Sequence, residues 1–151
     1  MSASYSNATN VTIDGKRFSK EGLTLSNCKN CTVSNCDFTY NSSTKTMCYL
    51  SNCQGCKVIN SKFYNKSTIG VALIITGEKT KDNLVEGCEF YNLTYSDGNG
   101  GEPIRIGNSD YSGCSFLNFF KSCINSYNCK VPHLPAFKKS FQVTSAMKRE
   151  V

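Results

Sequence analysis

The stretch with the most chemical character is Asn99-Gly-Gly-Glu-Pro-Ile-Arg-Ile-Gly107. Run as a strand, it places Ile104 and Ile106 on one face and Arg105 on the other. An outward Arg beside a glycine-rich loop suits a carboxylate or sulfate, because its planar fork donates two parallel hydrogen bonds. The plainer alternative is a surface Arg paired with Glu102. The candidate contacts for an acidic ligand are Arg105, Glu102 and Tyr49, helped by the loop 95–101.

Cysteine is the second candidate for chemistry, with ten in the chain. Cys28-x-x-Cys31 and Cys53-x-x-Cys56 match the spacing of a four-thiolate structural zinc site. Both pairs, however, lie inside a repeated heptad, which makes cysteine read as a small apolar filler of a repeating interior. Disulfides between neighbouring repeats remain open as well. His133, the single histidine, sits between prolines and is not expected to act in catalysis. Six Asn-x-Ser/Thr sequons occur, at Asn7, Asn10, Asn30, Asn41, Asn65 and Asn92; in a chain this rich in Asn, Ser and Thr, most are expected by chance.

The elements that must position these residues repeat. Leu25-Ser-Asn-Cys-Lys-Asn-Cys31 recurs as Leu50-Ser-Asn-Cys-Gln-Gly-Cys56, with an offset of 25 and five of seven positions identical. Phe18, Phe38, Phe63, Phe90 and Phe116 follow at spacings of 20, 25, 27 and 26. Two further apolar columns run Leu25, Leu50, Ile75, Ile106 and Leu23, Cys48, Leu73, Ile104. Their separation by two residues marks a strand buried on one face, so Thr24, Tyr49, Ile74 and Arg105 should point outward. Val33, Val58 and Val85 make one more inward column. Three residues before the last four phenylalanines stand Asn35, Asn60, Gly87 and Gly113, the two residue types most tolerant of a left-handed backbone. A sharp turn in every coil follows.

A period of 20 to 27 residues without a helical segment predicts an all-β fold, a right-handed parallel β-helix of about five rungs. The rungs are expected over residues 1–120, with a divergent tail, partly disordered or capping, over 121–151. Composition agrees: 39% hydrophobic, 19% charged and no Trp, unlike a helical bundle. The net charge of +6 favours polyanionic partners. No Lys/Arg run exceeds two residues, which argues against nucleic acid. The longest apolar run, Val71 to Ile75, is too short to span a membrane.

The motif Asn99 to Gly107, followed by Ser109 to Ser112 and Phe116-Leu-Asn-Phe-Phe120, resembles the chondroitinase B and alginate lyase group, the family-six polysaccharide lyases. That resemblance covers roughly residues 7 to 120. It implies a β-helix enzyme cleaving acidic polysaccharide by β-elimination, with calcium as the family's cofactor. The family's base and acid, a Lys and an Arg, lie on later rungs that cannot be placed here. The chain therefore reads as the N-terminal part of such an enzyme: a truncated stack, inactive alone, with no cofactor of its own and no catalytic residue. Only a groove role for Arg105 carries over.

The parental protein would be extracellular or periplasmic, although Met1 to Asn10 lacks the apolar stretch of a secretory signal. The incomplete stack would also offer an open end for self-association. A non-catalytic glycan-binding module and a purely structural solenoid are the competing readings. An ice-binding face is not expected, because no outward column carries Thr on every rung.

Overall fold

Short apolar alternations, each ended by Asn or Gly, dictate strands of two to six residues joined by tight corners. The computed structural model describes residues 3–41, 46–66, 71–93, 102–107 and 115–117; for 102, 106–107 and 115–117 it describes the backbone alone. These residues wind as a right-handed parallel β-helix, and no helix occurs among them. The first rung holds β1 (Ala3–Ser6), β2 (Thr12–Asp14) and β3 (Arg17–Phe18). The second holds β4 (Leu23–Ser26), β5 (Thr32–Ser34) and β6 (Asp37–Phe38). The third holds β7 (Cys48–Ser51), β8 (Lys57–Ile59) and β9 (Lys62–Lys66), and the fourth β10 (Val71–Thr76), β11 (Leu84–Glu86) and β12 (Glu89–Leu93). Of the fifth, β13 (Glu102–Gly107) and β14 (Ser115–Leu117) are described.

Strands at the same place in successive rungs pair in parallel and build three sheets: β1-β4-β7-β10-β13, β2-β5-β8-β11-β14 and β3-β6-β9-β12. They are called here the first, second and third sheets. The register sets like over like. Leu23, Cys48, Leu73 and Ile104 share one column, and Tyr5, Leu25, Leu50 and Ile75 another. Phe18, Phe38, Phe63 and Phe90 stack ring on ring at 4.8, 4.5 and 4.8 Å. The interior is a single apolar shaft, and Phe38, Phe63 and Phe90 are completely buried.

The corners explain the asparagines. Each rung turns through left-handed residues in three columns: Asn7, Asn27, Asn52, Gly77; Asn10, Asn30, Gly55, Asp82; and Gly15, Asn35, Asn60, Gly87. The turn does not break the ladder. Asn7, Asn27 and Asn52 each donate their N–H to the rung above, to the carbonyls of Ser26, Ser51 and Thr76 at 2.9 Å. Asn10 and Asn30 do the same to Lys29 and Gln54 at 3.0 Å. Every backbone group at such a corner is thus offered a partner, as burial requires.

One column departs from the sequence reading. Phe116 pairs with Val85 and so extends the series Ile13, Val33, Val58, Val85; it does not continue the phenylalanine stack. The offset from Leu73 to Ile104 is 31 residues, because the connection 94–101 is long, and the same offset carries Val85 to Phe116. The spacing of 26 from Phe90 ignored that insertion. Gly113 and Cys114, assigned through it, lie outside the described residues, as does the tail 121–151. Gly15, three residues before Phe18, joins the turn column in their stead.

Candidate functional site

The strand alternation that buries Leu23 and Leu25 turns Thr24 outward, and the register repeats this on every rung of the first sheet. Ser4, Thr24, Tyr49, Ile74 and Arg105 form one outward column. Ser6, Ser26, Ser51 and Thr76 form a second, a file of hydroxyls. Thr24, Tyr49 and Ile74 are half-buried and Arg105 is exposed. Tyr49 and Arg105 stand two rungs apart, roughly 10 Å at the usual spacing of paired strands, with Ile74 between them. Glu102 takes the register position of the buried Val71, outside the column of Tyr49 and Arg105. The described outward positions of this face carry no carboxylate. The loop 95–101, expected to help, lies outside the described residues.

The third sheet presents a pattern that the sequence reading missed. The residue before each stacked phenylalanine points outward, and in order these are Arg17, Asp37, Lys62 and Glu89, each in register with the next. Charge alternates along the stack, which favours this register over any slip. Beside them the rings of Tyr64 and Tyr91 stack at 4.8 Å and 6°. Burial, then the neighbouring Tyr64, Glu89 and Asp37, push the Tyr91 hydroxyl above its usual range. The signal was legible: the four charges sit one residue ahead of the very phenylalanines used to count rungs.

Inside the corner between the first two sheets, the cysteines gather. The bridges Thr9 to Lys29, Lys29 to Gln54 and Gln54 to Lys81 set the columns Ala8, Cys28, Cys53, Thr80 and Val11, Cys31, Cys56, Asn83. Each thiol in them donates to a carbonyl of the rung below: Cys28 to Tyr5 and Cys53 to Leu25 at 3.4 Å, Cys31 to Ala8 and Cys56 to Cys28 at 3.6 Å. The Cys53 S–H, close to Cys56, holds the Cys56 thiol down to about 7 against the opposing effect of burial. Its partner Cys53 is pushed strongly up by the same contact and by burial. Among the described residues no group of three or more His, Cys, Asp or Glu is disposed to hold a metal ion, so the zinc spacing finds no counterpart in geometry.

Other polar groups serve the frame. Asp14 accepts from Ser34 Oγ at 2.6 Å and Asn35 Nδ2 at 2.8 Å, which lowers its carboxyl below the usual range. Lys66 is almost fully buried, and that burial lowers its ammonium. A concavity of about 390 Å³ opens at the first rung, lined by Tyr5, Ile13 and Phe18 with Lys16, Arg17 and Lys20 at its rim. It is three to four rungs from Arg105. His133 and the C-terminal end of the stack fall outside the described residues.

No protein-family model matches the chain, and no curated protein matches it. Solved structures similar to it include full-length QnrB1, a plasmid-mediated fluoroquinolone resistance protein, at 13% identity over 97% of this chain and 99% of that one, with a TM-score of 0.19. A trypsin-treated form of the same protein aligns at 11% identity over 99% and 97%, with a TM-score of 0.17. Likeness that slight supports no argument about function. The expected resemblance to the chondroitinase B and alginate lyase group is corrected by these comparisons, which return a resistance protein where a polysaccharide lyase was expected. The physical reason is that a nine-residue run of glycines and alternating isoleucines is what any loop entering a buried solenoid strand requires. Such a segment reports the coil, not the chemistry.

Proposed function

We propose that this chain is a non-catalytic β-solenoid that binds an acidic, hydroxyl-rich polymer, an acidic polysaccharide, along the outer face of its first sheet. The observation that carries the reading is the outward column Tyr49, Ile74, Arg105 in consecutive rungs, flanked by the hydroxyl file Ser6, Ser26, Ser51, Thr76. A face with hydroxyls, one guanidinium and no described carboxylate attracts an anionic chain and does not repel it. The net charge of +6 adds long-range attraction. An extended polymer laid along the rungs would meet Tyr49 and Arg105 through adjacent sugar units. No bond cleavage is assigned.

The test is binding of the whole chain to a polyuronate, measured by titration calorimetry, with a neutral polysaccharide as reference. Arg105→Ala should weaken polyuronate binding about 10-fold or more, the usual worth of a charge-assisted hydrogen bond. Arg105→Lys should recover only part of it, and added salt should shrink the difference. Equal affinity for the two polymers, or an unchanged affinity in Arg105→Ala, would remove the proposal. Removal would leave a structural solenoid.

A further inference from the structure

The seven described cysteines are all buried free thiols, yet their columns differ in one respect. Cys48 stands between Leu23 and Leu73, and Cys36 is separated from Cys88 by Ser61. Only the corner columns bring cysteine directly over cysteine: Cys28 beneath Cys53, and Cys31 beneath Cys56. Equivalent Cα atoms in paired parallel strands lie roughly 4.8 Å apart, inside the range that a disulfide spans. The Cys31 and Cys56 thiols are within hydrogen-bonding reach of each other.

Cys53 is also near Cys56, but the backbone of their corner is held from above. Asn83 Nδ2 donates to the Cys53 carbonyl at 2.9 Å, and Asn83 Oδ1 accepts the Cys56 N–H at 2.8 Å. Drawing Cys53 and Cys56 together would twist that clamped turn. Moving the Cys56 sulfur down toward Cys31 leaves both Asn83 bonds in place.

We propose that Cys31 and Cys56 are a disulfide site, a covalent staple between the second and third rungs, set by exchange with a small-molecule disulfide before the stack closes. In the first step the Cys56 thiolate attacks one sulfur of a disulfide such as oxidised glutathione, giving a mixed disulfide and releasing one glutathione thiolate. The Cys31 thiolate then attacks the Cys56 sulfur, forming the Cys31–Cys56 bond and releasing the second. Two protein thiols are oxidised, one donor disulfide is reduced to two thiols, and the two protons pass to those thiolates. Once the rungs have closed, both sulfurs are 0% exposed, so the donor reaches them only when the stack opens. The folded protein therefore keeps whichever redox state it folded in.

The experiment refolds the full chain from urea in a reduced and oxidised glutathione buffer, blocks remaining thiols with N-ethylmaleimide and maps bridges by peptide mass. A Cys31–Cys56 bridge is expected, with the thermal midpoint raised by roughly 10 °C, as closing a loop of this length gives. Cys53→Ala should keep the bridge, and Cys56→Ala should lose both bridge and shift. Chain folded under reducing conditions and then placed in the same buffer should retain its thiols far longer than the refolding chain. A Cys53–Cys56 bridge, no bridge at either cysteine, or equal oxidation of folded and refolding chain would overturn the proposal.

Discussion

At the scale of single residues, two glycines separate conformational need from steric need. Gly15 has φ +62 and nothing within 4 Å of where a Cβ would stand. Its requirement is conformational alone, so Gly15→Ala should cost about 1 kcal/mol through left-handed strain. Gly22 is the opposite case. A Cβ there would lie 2.6 Å from the carbonyl oxygen of Thr46 and 2.9 Å from that of Met47, and backbone cannot swing aside as a side chain can. Leu23 N–H also donates to that Met47 carbonyl at 2.9 Å, tying the second rung to the connection that follows it. Gly22→Ala should therefore cost more than about 2 kcal/mol, the range of overpacking and a weakened buried hydrogen bond. Urea unfolding of the two variants checks the order, and an equal loss would mean that the 46–47 connection yields. Three further corners join the two needs in one place: a Cβ on Gly55 would meet Asn30 Oδ1 at 2.5 Å, and Gly77 and Gly87 face Asn52 and Asn60 likewise. The asparagine of one rung leans over the left-handed residue of the next, so Gly follows Asn up each column for reasons of space as well as φ.

At the scale of strands, the inward columns were legible and the outward ones less so. Leu, Val and Phe recur because a shared shaft admits little else, and that constraint writes itself into spacing. Outward positions answer to their neighbours above and below, so their pattern appears only once register is known. Arg17, Asp37, Lys62 and Glu89 look unrelated along the chain and form an alternating file across it. The misplacement of Phe116 has the same root: spacing was measured along the chain from Phe90, whereas the 31-residue offset was already visible between Ile75 and Ile106. Of the candidate contacts, Tyr49 and Arg105 followed from the inward column beside them, but Glu102 did not, since alternation sets it apart from Arg105. The charge file yields a test. Lys62→Glu would place three acids on consecutive rungs and should lower stability by about 1 kcal/mol, partly restored at high salt. Lys62→Gln should cost less and show little salt dependence. If both variants lose the same amount at every ionic strength, the file contributes nothing beyond the packing of the Lys stem.

At the scale of the whole molecule, stability is a sum over contacts between neighbouring rungs, since no element reaches beyond the coil above or below. The repeat makes this testable with unusual sharpness, because Leu25 and Leu50 hold the same place in consecutive rungs. Deleting the 25 residues Ser26–Leu50 joins Leu25 to Ser51 and removes one complete coil with no change of register. Every inward column then loses one member but stays inward, and the fourth rung, which stacked on the third, meets the corresponding positions of the fused coil. The shortened chain should keep a β-type circular dichroism spectrum and a cooperative thermal transition at a lower midpoint, having lost one interface between rungs. Deleting 24 residues, Ser26–Tyr49, differs by a single position yet joins Leu25 to Leu50. Because side chains alternate every residue along a strand, that one-residue slip turns the inward set outward at the junction. This second chain should lose its cooperative transition. Comparable melting of the two deletions would show that the shaft tolerates either register, and the columns would then describe the sequence without governing the fold.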